Sequence, residues 1–105
     1  MHFTSYLQDG VLTIALNGEI DHHCARGYIE KIASKIEAYT PLQCVLDFSD
    51  VTFTDSSGIA VVINSMRRMA QIEGTLILTG LNEQPMRVFR TSGIDKLVHI
   101  KEAVK

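Results

Sequence analysis

The sequence predicts an α/β fold: a mixed β-sheet with an N-terminal hairpin and later parallel strands, helices packed on it, in the order ββαβαβαβ. Three observations carry that expectation. Asp9-Gly10 joins two strand-like runs and suits the positive dihedrals of a type I′ hairpin turn. Cys44-Val45-Leu46-Asp47-Phe48 is a nearly continuous apolar run, as expected for a strand covered on both faces. Around it, strand-like runs alternate with segments whose apolar residues recur at spacings of three and four. With 105 residues the chain reads as one domain, 1–105, large enough for a core without staples.

Residues 2–8 and 11–18 are the expected hairpin strands; in the second, Leu12, Ile14 and Leu16 share one face and Thr13, Ala15 and Asn17 the other. Gly18-Glu19-Ile20 ends that strand. Asp21 is the expected N-cap of a helix whose apolar stripe is Ala25, Ile29, Ile32, Ala33 and Ile36, with Tyr28 alongside. Thr40-Pro41 closes it, because the residue before proline is pushed out of the α region. The third strand, 43–48, leads through Val51 and Phe53 into Thr54-Asp55-Ser56-Ser57-Gly58. A second helix follows on Ile59, Val62, Ile63, Met66 and Met69 or Ala70, with Gly74 as its C′ residue. Thr75–Thr79 is a fourth strand. Pro85 suits the first position of a short third helix carrying Met86 and Phe89, and Gly93 before Ile94 stops it. Leu97–Ile100 is the last strand, and Lys101–Lys105 is a tail or one helical turn.

Composition narrows the function classes. Hydrophobic residues at 46% and charged residues at 21% suit a soluble globular protein. Ten Lys+Arg against 12 Asp+Glu, with no basic run, argue against nucleic acid or an anionic membrane as partner. The N-terminus lacks the charged-then-apolar pattern of a signal peptide and no apolar run spans a bilayer, so the expected compartment is the cytoplasm. Cys24 and Cys44 lack metal-type spacing and read as reduced thiols. His22 and His23, neighbours on a regular helix, would point about 100° apart. They do not chelate one ion from there, and neither a metal nor another cofactor is expected. Asp55-Ser56-Ser57-Gly58 lacks the leading glycine of a nucleophile elbow. Without an oxyanion loop or a phosphate-cradling loop with lysine, no enzyme is expected.

Two polar corners remain, Gly18–His23 and Thr54–Gly58, both at carboxyl ends of strands, where functional loops of such sheets gather. Both lead into helix N-termini and are expected side by side. Asp55, Ser56 and Ser57 stand where a helix needs acceptors for its unpaired N–H groups, and Gly58 keeps the surface near the hydroxyls open. Capping alone accounts for such residues. The functional reading is that Ser56 is a phosphoacceptor: phosphate adds about −1.5 to −2 charges. A helix N-terminus tolerates that charge, whereas Asp55 and an acidic or apolar partner oppose it. The change then falls on binding and spares folding. Asp21, His22 and His23 read as a polar rim for a partner, sensitive to pH through imidazole. Val61 reads as an exposed apolar contact near the corner, on an outer face with Ala60, Asn64, Arg67, Arg68 and Gln71.

Gly18-Glu19-Ile20-Asp21-His22-His23 and Thr54-Asp55-Ser56-Ser57-Gly58-Ile59-Ala60-Val61, at this separation and in this element order, resemble the anti-sigma factor antagonist branch of the STAS domains. The likeness runs over nearly the whole chain, including Ser92-Gly93. The paired histidines, and Ser57 where stress-response relatives often have threonine, favour the sporulation type. The resemblance implies a STAS-like sheet and a bacterial, cytoplasmic phosphoprotein that regulates transcription by partner switching. Unmodified, it would bind an anti-sigma factor that is itself a serine kinase and so free the sigma factor. Phosphorylated at Ser56, it would let go, and a serine phosphatase would reset it. Asp21, His22 and His23 match the first loop of the partner surface; Asp55, Ser57 and Gly58 flank the acceptor in the second. The free protein is expected to be a monomer. The alternative is a non-switching STAS module that binds a nucleotide or small ligand, or scaffolds a larger regulatory assembly.

Overall fold

The computed structural model describes residues 3–101, so His2, expected in the first strand, and the tail after Lys101 lie outside the described residues. Its elements are β1 (Phe3–Gln8), β2 (Val11–Ile20), α1 (Ala25–Tyr39), β3 (Gln43–Thr54), α2 (Ser56–Gln71), β4 (Thr75–Thr79), α3 (Glu83–Ser92), a 3₁₀ turn (Ile94–Lys96) and β5 (His99–Lys101). The five strands form one sheet in chain order, with β1 antiparallel to β2 and every later neighbour parallel. This is the expected mixed sheet. Asp9 and Gly10 both take positive φ, 53° and 79°, as a type I′ turn requires.

Strand alternation decides where the core lies. Leu12, Ile14 and Leu16 of β2, Cys44, Leu46 and Phe48 of β3, and Leu76 and Leu78 of β4 share one face and are all buried. Onto it α1 brings Ala25, Tyr28, Ile32 and Ile36, α2 brings Val61, Val62 and Met69, and α3 brings Phe89. The Phe89 ring meets Phe48 edge-on, with centroids 5.6 Å apart. Each fully buried Leu, Ile or Phe contributes about 1.5–3 kcal/mol of transfer free energy. The opposite face differs from expectation. Thr13, Val45 and Ile77 lie side by side there and are only half-buried. β3 is therefore covered by helices on one face, and Val45 owes its shielding to flanking strands.

Several element ends move. Gly74 does not supply the left-handed residue after α2; Glu73 does, at φ 58°. Gly74 is needed instead for close approach, since a Cβ there would stand 2.9 Å from the Leu42 carbonyl oxygen. Pro85 is the third helical residue of α3, not the first, still inside the turn where its missing N–H is harmless. Gly93 ends α3 at φ 84°, as expected, with Ile94 buried behind it. The 3₁₀ turn follows, and Leu97 and Val98, expected in the last strand, close it instead; the strand begins at His99 and Leu97 is left 60% exposed.

The rotation of α2 also differs. Ile59, Ile63 and Met66 are only partly buried, whereas Gly58, Val61, Val62, Ser65 and Met69 form the buried line. The helix leans on α1 as well as on the sheet, so its hidden face is wider than one stripe. Ser65 fits there because its hydroxyl donates to the Val61 carbonyl at 2.8 Å.

Candidate functional site

The parallel register of β2 and β3 continues to Ile20 beside Thr54, and the Asp55 N–H donates to the Ile20 carbonyl at 3.1 Å. The two polar corners therefore adjoin, as expected. β2 reaches this end through two irregularities in its pairing, and Gly18 at the second holds φ +80°, a left-handed value that favours glycine.

In the first corner the chain makes an irregular turn before α1, so Asp21 caps that turn rather than the regular helix, which starts at Ala25. Its carboxylate accepts from the His23 N–H at 2.9 Å and the Cys24 N–H at 3.3 Å, and lies 3.6 Å from His23 Nδ1. Partial desolvation pushes the Asp21 carboxyl upward, but those two N–H donors and the His23 imidazole outweigh it and hold it below its ordinary value. His22 and His23 are exposed and, being outside the regular helix, do not diverge as expected. Their rings lie 4.0 Å apart, tilted by 36°. The half-buried Cys24 Sγ donates to the Glu19 carbonyl at 3.3 Å. Burial pushes the other thiol, Cys44, up to about 12.

In the second corner Asp55 is the N-cap of α2. Its carboxylate accepts from the Ser57 N–H at 2.7 Å, and its carbonyl from the Gly58 N–H at 3.1 Å. Asp55 therefore does the capping expected of all three polar residues. Ser56 is the first residue of the helix and is exposed; Ser57 is half-buried. Two other expectations are corrected. Gly58 is buried, and a Cβ there would come within 2.0 Å of Thr54 Oγ1, so its bareness makes room for Thr54 and not for a partner. Val61 is fully buried because the face of α2 that carries it turns inward, so it is no exposed contact. Its outer-face companions Ala60, Arg67, Arg68 and Gln71 are exposed and Asn64 is half-buried.

Residues to which the sequence assigns no role of their own hold the corner in place. Thr54, fully buried, has its hydroxyl within hydrogen-bonding reach of the Ile20 and Asp55 carbonyls at 3.3 and 3.0 Å. β4 pairs with β3 only from Gln43 to Asp47, so the far half of β3 has no strand on that side. Side-chain amides from the start of α3 replace it. Asn82 donates to the Ser49 and Val51 carbonyls at 3.1 and 2.8 Å. Gln84 accepts from the Thr54 N–H and donates to the Thr54 carbonyl, both at 2.9 Å. Beside this brace runs a groove of about 470 Å³ lined by Phe53, Ile59 and Val88 together with Ser56, Gln84 and Arg87. Asn82 and Gln84 are not legible as site residues, because bonds across some 30 positions leave no local period, and Arg87 joins the corner only through the groove it lines. Asn82 precedes the helix as an N-cap type residue, the one faint signal.

Among the described residues, no group of three His, Cys, Asp or Glu side chains is placed to hold a metal ion, and no helix is long and apolar enough to cross a membrane. A family model described as the STAS domain matches residues 2–105. An anti-sigma F factor antagonist of Lysinibacillus sphaericus is 30% identical over 95 residues, covering 90% of this chain and 81% of its own. An anti-sigma-B factor antagonist of Listeria monocytogenes is 27% identical over 93 residues, covering 86% and 78%. Among solved structures, the phosphorylated form of the Bacillus cell fate determinant SpoIIAA aligns with a TM-score of 0.76 at 27% identity. That alignment covers 99% of this chain and 93% of its own.

Proposed function

This chain belongs to the STAS domain family, and from that premise we propose that it is an anti-sigma factor antagonist switched by phosphorylation of Ser56. The observation that carries the reading is the placement of Ser56: exposed on the first turn of α2, with Asp55 already capping the helix and the Asp21–His23 corner adjoining. The hydroxyl is thus not needed by the fold. A phosphate there would face the helix N-terminus, which offsets part of its charge, while meeting any partner across the corner as an added dianion. Relatives named as antagonists of anti-sigma F and anti-sigma-B factors support the role, as does a relative solved in a phosphorylated form.

In this reading the unmodified protein, a cytoplasmic monomer, binds through this domain an anti-sigma factor that is also its serine kinase. Asp21, His22, His23, Asp55 and Ser57 border the contact. Phosphorylation ends it, a serine phosphatase restores it, and the protein does no catalysis itself. Incubation with the cognate anti-sigma factor and ATP should place one phosphate on Ser56, located by mass spectrometry. Ser56→Ala should bind and never be released by ATP. Label on Ser57 alone, or none, would sink the assignment.

A further inference from the structure

The brace between α3 and the second corner has a consequence for the modified state. Gln84 is locked to the Thr54 backbone by two 2.9 Å bonds, two residues before Ser56. Residues three apart on a helix share a face, so Arg87 rises from the same side of α3 one turn on, and it lines the same groove as Ser56. Its present partner is Glu83, at 3.6 Å, with both side chains largely exposed. Such an i,i+4 surface pair is worth only tenths of a kcal/mol and is easily exchanged. A phosphate offers more: a higher charge and oxygens that accept two parallel guanidinium bonds.

We propose that Arg87 is the intramolecular counter-ion of phosphorylated Ser56, leaving Glu83 to clasp the phosphate and close the groove over Phe53, Ile59 and Val88. This rests on Ser56 being the phosphoacceptor. Of the other charged groups that line a groove with Ser56, none competes. Asp55, on the same groove, repels the phosphate, and Glu83 bears the wrong sign. Arg67 lines a second groove that also touches Ser56, but it lies eleven residues along α2, about 16 Å of helix away. Phosphorylation would then do two things at once: add a repelling charge and remove an apolar recess from the surface.

The test uses the full chain with phosphoserine installed genetically at position 56, so no kinase is needed. Phosphorus NMR then follows the second ionisation of the phosphate. An adjacent guanidinium should hold it below its value in the same chain unfolded in urea by roughly 0.5–1 pH unit. R87Q should remove most of that shift, R87K should keep part of it, and R67Q should leave it unchanged. Methyl resonances of Ile59 and Val88 should respond to phosphorylation in the parent and far less in R87Q. If R87Q titrates with the parent, or R67Q moves as much as R87Q, the clasp is refuted. A kinase that labels some other residue would instead refute the proposed function, and the two failures are thereby told apart.

Discussion

At the hairpin end of the sheet the chain is tied mostly backbone to backbone, whereas at the opposite end side chains supply much of the tying. Leu42 and Gln43 donate their N–H groups to the Gly10 carbonyl at 2.8 and 3.3 Å, and Thr75 donates to the Leu42 carbonyl at 3.3 Å. At the corner end, Asp21 and Asp55 close the turns and Asn82 and Gln84 brace the strand. Backbone ties survive most changes of side chain. Side-chain ties do not, so the corner end concentrates its geometry in a few replaceable residues.

Substitutions can break that contrast. The largest effect should come from Gly58→Ala. Helix propensity alone favours alanine by about 1 kcal/mol. The new methyl, however, would meet the pinned hydroxyl of Thr54 at 2.0 Å, with its Cβ and Cγ2 at 3.1 and 3.3 Å, and cannot be absorbed by a flexible tip. Overpacking typically costs about 1–3 kcal/mol and occasionally more. So close an approach to a pinned atom belongs at or above the top of that range, and the net change should be a loss of about 2 kcal/mol or more in urea unfolding. Adding Thr54→Ala should recover part of the loss; simple additivity would show that the two residues do not collide.

Next comes Gln84→Ala, which strips the Thr54 N–H and carbonyl of their amide and should cost about 1–2 kcal/mol. Leu42→Ala at the hairpin end, where the side chain is 77% exposed and only the backbone ties matter, should stay within about 0.5 kcal/mol. Equal losses at the two positions would erase the distinction between the ends.

The smallest effect concerns pH. Asp21 ionises below its ordinary value in the folded chain, so its contribution is present above the unfolded value of 3.8 and is lost as pH falls through the folded one. Asp21→Asn should therefore flatten the acid limb of a plot of stability against pH by lowering the plateau near neutral pH slightly, and leave the most acid values nearly untouched. An unchanged acid limb would mean that the turn does not depend on the carboxylate.

The same contrast marks what the sequence could reveal. Asp9-Gly10, the alternation of Leu12, Ile14 and Leu16, and the strand–helix rhythm are local signals, and the sheet follows from them. So does the pairing of the two corners, because parallel neighbours bring their carboxyl ends together. Val61 escapes a reading by single stripe because α2 leans on two neighbours and hides a wider face. Gly58 reads as an opening in the sequence because nothing near it announces the buried Thr54 hydroxyl. Gln84 and Arg87 were invisible for a different reason: their importance arises only once α3 is laid against residues some 30 positions earlier.

β3 outruns β4 by half its length, and its bare side is filled by two neutral amides. A raw strand border is a template for strand exchange and fibre growth between molecules. Asn82 and Gln84 occupy those bonding positions from within the same chain, so what orients the corner also keeps copies of this protein from stitching together at high concentration.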